Sequence, residues 1–289
     1  MAAMAGRADR QSTPLLQHFP SDLLPPANHL HADDVDVRHG RHRCPPPTGA
    51  ADMTNPRSDV QWEALAEDAW LLRFGDTIDM AVNARVHDAA TLLQALLPEV
   101  ECVPAYASLL LRFDPMHWLD DRGTFDGHRL RSAIEAALRS APAHRAAPRE
   151  MTLPVCYDGA DLHEVAAHTQ LTTGEVIARH AAATYRVAML GFAPGFPYLL
   201  GLDPALAMPR RSQPRLSVPA GSVAIGGSQT GIYPQALPGG WQLIGRTPVC
   251  LFDLAAASPS LLQPGDQVRF RAIDEHEYQQ LAASTGRSA

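Results

Sequence analysis

The chain has 289 residues, 46% of them apolar, and a formal charge of -7 at pH 7; this is surface enough for one large or two modest cores, and the acidic balance argues against a nucleic-acid binder, whose affinity rests on clustered basic residues. No stretch approaches the roughly 20 consecutive apolar residues that cross a bilayer, and the N-terminal stretch has no basic region followed by an apolar run, so a cytoplasmic protein without a membrane segment is expected. The sequence contains no lysine, which excludes a Schiff base, a biotinyl-lysine, a phosphate-loop lysine and a Ser-x-x-Lys nucleophile.

Residues 1–58 are rich in proline, histidine and charge and carry little apolar periodicity, so they read as a disordered extension or a misassigned start, with Met53 a candidate initiator. His29, His31, His39, His42 and Cys44 match no ligand spacing. The cysteines at 44, 102, 156 and 250 form no CxxC pair, which removes the usual zinc and dithiol signatures. No metal site is expected.

A small α+β domain is assigned to 59–146. Ala69 to Gly75 (AWLLRFG) reads as a short strand ended by glycine. Val82, Val86, Ala89, Leu93, Leu96 and Leu97 recur at helical spacing until Pro98 stops the run. Val100 to Phe113 returns to strand-like composition, and Asp126 to Ser140 forms a second helix with Leu130, Ile134 and Leu138 inward.

The alanine- and proline-rich segment 141–148 reads as a linker, and 147–289 as a second domain opened by the strand Met151 to Cys156. Residues 162–180 have the outline of a helix-turn-helix with Thr172 or Thr173 as N-cap and Glu175 in the first turn. Its second helix offers only Arg179 and His180 to a nucleic acid, so packing is the expected role. From Tyr185 short strands punctuated by Gly and Pro follow: TYRVAML, RLSVPA, GSVAI, TGIYP, WQLIGR, PVCLFD and QVRFRA, then a helix from about Asp274 to Ala283. This pattern argues for a barrel or sandwich.

Two segments stand out for chemistry. Gly191 to Gly201 (GFAPGFPYLLG) is stiffened by proline and holds its aromatics in place. Val218 to Pro248 is glycine-rich, which permits close approach to the backbone. Between Asp203 and Asp253 there is no acidic residue, whereas Arg210, Arg211, Arg215 and Arg246 fall inside; such a stretch favours an anionic ligand, with Ser228, Gln229 and Thr230 as neutral donors. GxSxG and HExxH are absent, and GGSQTG at 226–231 misses the dinucleotide fingerprint because Ser228 replaces its second glycine. His163, His168 and His180 share the helix pair, and Asp158, Asp161, Asp203 and Asp253 are the acids available for general-base work.

These residues also carry a resemblance. MLGFAPGFPYLLGLDP at 189–204, PRLSVPAGSVAIGGSQTGIYP at 214–234 and PGGWQLIGRTPVCLFD at 238–253 resemble the KipI and PxpB family, also called allophanate hydrolase subunit 1 or the carboxyltransferase first-half domain. A weaker match runs through LLRFGD at 71–76, PAYASLLLRFDP at 104–115 and LPVCYDG at 153–159. Leu237 stands where a serine is common in the family, and the first 50 or so residues have no counterpart in it. The resemblance implies an α+β protein, a small α+β domain followed by a cyclophilin-like β-barrel.

It also implies three roles: the PxpB component of an ATP-dependent 5-oxoprolinase that opens 5-oxo-L-proline to L-glutamate, a carboxyl-transfer subunit related to urea carboxylase, or a KipI-like inhibitor of a histidine kinase. The first brings ATP with Mg2+, and as partners a carboxyltransferase-like (PxpC-like) and a LamB/YcsF-like (PxpA-like) subunit; no biotin is attached to this chain. Phosphorylating a lactam oxygen needs preorganised anion stabilisation, for which Arg215, Gln229, Tyr233 and Arg246 are candidates. The candidates for binding substrate or nucleotide are Phe192, Pro194, Gly195, Phe196, Tyr198, Gly227, Thr230, Gly231, Tyr233 and Trp241.

Overall fold

The fold, seen in a computed structural model, is described for residues 60–140 and 147–284. The segment 1–58 with its histidines, Cys44 and Met53, and the linker residues 141–146, lie outside the described residues.

The first sheet has the order β1-β2-β4-β3, all antiparallel, from β1 (Gln61–Ala66), β2 (Ala69–Arg73), β3 (Val100–Pro104) and β4 (Ser108–Phe113). Helix α1 (Met80–Leu96) starts at Asp79, whose Oδ1 accepts from the N–H groups of Ala81 and Val82 at 2.7 and 3.0 Å, and it ends before Pro98. Val86, Ala89 and Leu93 are buried as their spacing predicts, but Leu96 is exposed, while Leu97 packs against the core. Helix α2 (Gly127–Arg139) is capped by Asp126 and packs Leu130 and Ile134 against the same core. Strand β1 escapes sequence reading: it is an edge strand with almost every residue exposed, so it shows no alternation.

The second sheet closes into a barrel of order β10-β7-β6-β13-β5-β12-β9. Its strands are β5 (Glu150–Cys156), β6 (Thr184–Leu190), β7 (Pro197–Leu200), β9 (Ser222–Gly226), β10 (Gln229–Ile232), β12 (Gln242–Arg246) and β13 (Gln267–Ile273); β13 runs parallel to β5 and antiparallel to β6. Strands β8 (Arg215–Val218) and β11 (Leu237–Gly239) form a separate two-stranded ribbon. The α+β class expected from the sequence is the observed one. Two segments differ from expectation. PVCLFD contributes only an isolated bridge from Phe252 to Ser260, with Leu261 N donating to Leu251 O and Asp253 N to Pro259 O. Within GFPYLLG lies β7, a barrel strand whose Leu199 and Leu200 are buried.

Helices α3 (Leu162–Thr169) and α4 (Thr173–Ala182) bury Leu162, Val165, Ala166 and Val176 in the barrel core. Thr172 and Glu175 make a reciprocal capping box. Arg179 pairs with Asp203 at 2.9 Å and His180 is fully buried, so the second helix presents no recognition face and the pair packs, as expected. Helix α5 (Glu275–Ser284) follows β13. No helix among the described residues is long and apolar enough to cross a membrane.

Two buried polar residues on α1 join the first sheet to the barrel. Pairing of β6 with β7 slips between Val187 and Met189, which frees the carbonyl of Ala188 from the ladder. That oxygen accepts from Asn83 Nδ2 at 3.2 Å and from His87 Nε2 at 3.0 Å, and Asn83 also donates to Ala105 O at 3.1 Å. Burial, reinforced by Arg186, lowers the pKa of His87 to about 4, and burial lowers that of His180 to about 3.

Both imidazoles stay neutral in the folded protein while the unfolded chain takes up protons below its ordinary histidine pKa. Their stabilisation is therefore complete above about pH 6.5 and declines as pH falls toward the folded values. Denaturant unfolding is expected to lose roughly 4 kcal/mol between pH 7 and pH 5, at about 1.4 kcal/mol per unit for each group. His87→Gln, which keeps a donor for Ala188, should remove about half of that loss; an unchanged slope would show that His87 is not held neutral.

Candidate functional site

The four arginines of the acid-free stretch are not equivalent once the chain is folded, because acids from elsewhere in the sequence reach three of them. Asp161, 3% exposed at the start of α3, accepts at Oδ1 from Arg211 Nη1 (3.0 Å) and Arg215 Nη2 (2.7 Å), and at Oδ2 from the N–H of Leu243 (2.7 Å). Its own N–H donates to Leu243 O at 2.9 Å. Arg211 also lies 3.6 Å from Glu164. One buried carboxylate thus ties α3, β12 and the segment leading into β8. A paired, fully hydrogen-bonded buried charge is tolerated where a lone one is not.

Arg210 sits inside this pinned segment. Its neighbours are fixed, since Arg211 N donates to Gly240 O at 2.7 Å and Pro209 O accepts from Gln242 Nε2 at 3.0 Å. The Arg210 guanidinium lies over the Trp241 indole, 5.7 Å from the ring centroid.

Trp241 belongs to an aromatic wall. It meets Phe196 edge-on at 5.8 Å and Tyr198 at 5.9 Å; Tyr233 and Phe192 meet Phe196 at 5.2 and 5.4 Å. The glycines make room for these rings. A Cβ at Gly226 would stand 2.5 Å from Trp241, one at Gly231 3.0 Å from Trp241, and one at Gly239 2.1 Å from the Tyr233 hydroxyl. Phe192 holds a left-handed φ of 68° and is 60% exposed, a conformation that costs a side-chain-bearing residue about 1–2 kcal/mol and is often found at functional sites. The aromatics, with Arg210, Arg211, Pro214 and the β11 turn, line a cleft of about 360 Å³.

Of the sequence candidates, Phe192, Phe196, Tyr198, Tyr233 and Trp241 converge on this cleft. Pro194 and Gly195 form the turn behind it, with Gly195 packed on Phe252. Three others are corrected. Gly227 exchanges both of its backbone hydrogen bonds with Met208, at 2.7 and 3.1 Å, so its N–H is not offered to a ligand. Gly231 is covered by Trp241, Phe196 and the Pro197 carbonyl. Thr230 is fully buried: its hydroxyl donates to Ala224 O at 2.9 Å and accepts from His180 Nε2 at 3.0 Å, while Tyr157 donates to His180 Nδ1 at 2.8 Å. This closed chain makes His180 a structural residue. His163 and His168 are exposed and do not join it.

The anion group proposed from the sequence does not assemble. Arg215 is held by Asp161, and Gln229 is buried beside Tyr106. Arg246 lies in a second cleft of about 470 Å³ that shares no lining residue with the first, bonded to Asp158 (2.8 Å) and Glu275 (2.6 Å) with Tyr278 beneath it at 4.1 Å. Cys156, Asp158 and Glu275 have metal-like proximity there, but Arg246 already engages both carboxylates. Asp203 and Asp253 cap local turns through Ala205 N and Ala255 N. No carboxylate lines the aromatic cleft among the described residues.

Sequence reasoning passed over two contributors. Arg210 is one of four equivalent arginines until the other three find acids. Tyr106, in the β3–β4 turn, packs edge-on against Tyr198 at 5.9 Å, and nothing local in PAYAS signals that contact.

Comparison with known proteins follows the same residues. The family model of the carboxyltransferase domain, subdomain C and D, matches residues 60–262. The B component of the 5-oxoprolinase of Bacillus subtilis (strain 168) is 42% identical over 228 residues, 75% of this chain and 95% of that protein. That of Escherichia coli O157:H7 is 42% identical over 214 residues, 71% and 93% of the two. The crystal structure of TTHA0988 superposes with a TM-score of 0.62 at 42% identity; the match covers 71% of this chain but 40% of that one, so this chain spans well under half of that protein's length.

Two substitutions probe the geometry. Asp161→Ala should cost about 3–5 kcal/mol in denaturant unfolding, because it strands two guanidinium groups; a loss under about 1 kcal/mol would mean that the node is not essential. Phe192→Gly should leave stability unchanged or raise it by about 1 kcal/mol and weaken ligand binding, measured by thermal unfolding and titration.

Proposed function

The chain belongs to the carboxyltransferase-domain family of subdomains C and D, and on that premise we propose that it is the PxpB-type component of a 5-oxoprolinase, opening 5-oxo-L-proline to L-glutamate at the expense of ATP together with companion subunits. The observation that carries the reading is the chemistry of the aromatic cleft. Phe192 and the partly exposed Tyr198 offer ring surface to a small flat lactam, backed by the largely buried Phe196, Tyr233 and Trp241 that also line the cleft, and Arg210 offers a guanidinium to its carboxylate. The three sequence blocks that carry the family resemblance supply every one of these rings.

The division of labour follows from what the cleft contains. A lactam is an unactivated amide, so opening it requires a polarised carbonyl and a water deprotonated by a base. With no carboxylate on the wall among the described residues, the base is assigned to a companion subunit. One guanidinium without an acid suits a monoanion better than a triphosphate, and the only acidic cluster of metal-like spacing among the described residues is held by Arg246. ATP and its Mg2+ are therefore also assigned to the companions, a carboxyltransferase-like and a LamB/YcsF-like subunit, in the cytoplasm. This chain binds and orients the lactam and excludes water around it.

The test is glutamate release from 5-oxoproline, with and without ATP, by the three-subunit mixture and by mixtures lacking one subunit each. Release that requires both ATP and this chain is expected. Equal release without this chain overturns the proposal, and ATP-dependent carboxyl transfer to urea by the same mixture would replace it with the urea carboxylase reading.

A further inference from the structure

We propose that Arg210 is the residue of this chain that reads a carboxylate, so that the aromatic cleft selects small flat rings bearing one carboxylate and rejects their neutral counterparts. For the identity of the ligand, 5-oxoproline, the inference rests on the function proposed above; the recognition chemistry is argued independently.

The charges single this residue out. Arg211 and Arg215 share Asp161, Arg246 is bonded to Asp158 and Glu275, and Arg179 to Asp203. Arg210 has no carboxylate partner among the described residues, is exposed, and stands on the wall of the cleft. Against Arg210, Arg211 and Arg215 only Asp161 and Glu164 are set nearby, which leaves one positive charge over. That excess matches a monocarboxylate.

Placement is equally specific. The backbone on each side is hydrogen-bonded, Pro209 O to Gln242 and Arg211 N to Gly240, and the indole of Trp241 lies under the guanidinium. The fixed backbone defines where the side chain starts, and its planar fork matches a carboxylate. Arg211 lines the same cleft, and its Nε, like Nη1 of the neighbouring Arg215, is buried without a protein acceptor. Burial raises the pKa of the Tyr198 and Tyr233 hydroxyls; the Arg210 charge opposes the rise at Tyr198, and at Tyr233 a hydrogen bond to the Trp241 backbone opposes it first and Arg210 after it.

The experiment uses the assembled complex with Arg210→Met and Arg210→Lys, each checked by thermal unfolding. Its readouts are kcat and KM for 5-oxoproline, and calorimetric binding of 5-oxoproline and of its neutral amide, 5-oxoprolinamide. Arg210→Met is expected to raise KM about 10- to 100-fold, the range of a charge-assisted hydrogen bond, with kcat within about threefold because ground-state and transition-state binding are lost together. Arg210→Lys should recover part of the loss, and the preference for acid over amide should disappear in Arg210→Met. Unchanged KM in both variants of an active complex overturns the assignment of Arg210 and leaves the enzyme reading intact. If the wild-type complex releases no glutamate, the enzyme reading fails, and calorimetry decides separately: binding of a small ring carboxylate that Arg210→Met abolishes sustains the assignment, whereas no binding, or binding indifferent to Arg210, overturns it.

Discussion

A carboxylate removed from water must be surrounded by donors or give up its charge, and Asp161 meets that requirement with two guanidinium groups and a backbone N–H. The arrangement has a geometric consequence. Because Arg211 and Arg215 must both reach the same oxygen, the chain between them cannot wander, and the ribbon that begins at Arg215 is anchored where it leaves the barrel. Arg210, one residue outside this clamp, is thereby held on the cleft with no acid of its own among the described residues. Replacing such a node by apolar residues of similar volume can be neutral or stabilising in other proteins, so its role here is better understood as placement than as net stability.

The glycine-rich blocks serve the same cleft from its other side. Glycine in a sequence suggests either a turn or room for a ligand, and here the room is taken by the protein's own aromatic rings. Trp241 lies where side chains at Gly226 and Gly231 would be, and Tyr233 where one at Gly239 would be. Rings seated on bare backbone are immobilised by contact, and Trp241 and Tyr233, nearly buried, form a packed floor behind the more exposed Phe192 and Tyr198. The wall is consequently stiff before any ligand arrives, which reduces the entropy lost on binding.

The first sheet contributes to this wall at a distance. Asn83 and His87 on α1 grip the Ala188 carbonyl that the β6 irregularity frees, and the same Asn83 holds the β3–β4 turn through Ala105 O. Tyr106 leaves that turn and packs against Tyr198. A chain of contacts thus runs from a polar interface between the two sheets to an aromatic residue of the cleft, and it gives the first sheet a part in shaping the site that its own residues do not announce.

Much of the architecture was legible in order along the chain. The stripe of Val86, Ala89 and Leu93, the stop at Pro98, the Thr172 and Glu175 cap and the short strands from Tyr185 onward are local patterns, and local patterns follow from backbone geometry and the period of apolar residues. The aromatic half of the cleft was legible for a related reason, since proline and glycine constrain the backbone near the rings they position. The role of each arginine was not, and neither were the seating of Thr230 inside the barrel and the capture of the Ala188 carbonyl by Asn83 and His87. Each depends on which groups from distant parts of the chain arrive beside it: Asp161 precedes Arg215 by 54 residues, and Asn83 precedes Ala188 by 105. Sequence alone determined which chemical groups the protein has and how each segment is inclined to fold; tertiary structure decided which charges are spent on one another and which is left for a ligand, because electrostatic pairing is a property of distance in space and not of order along the chain.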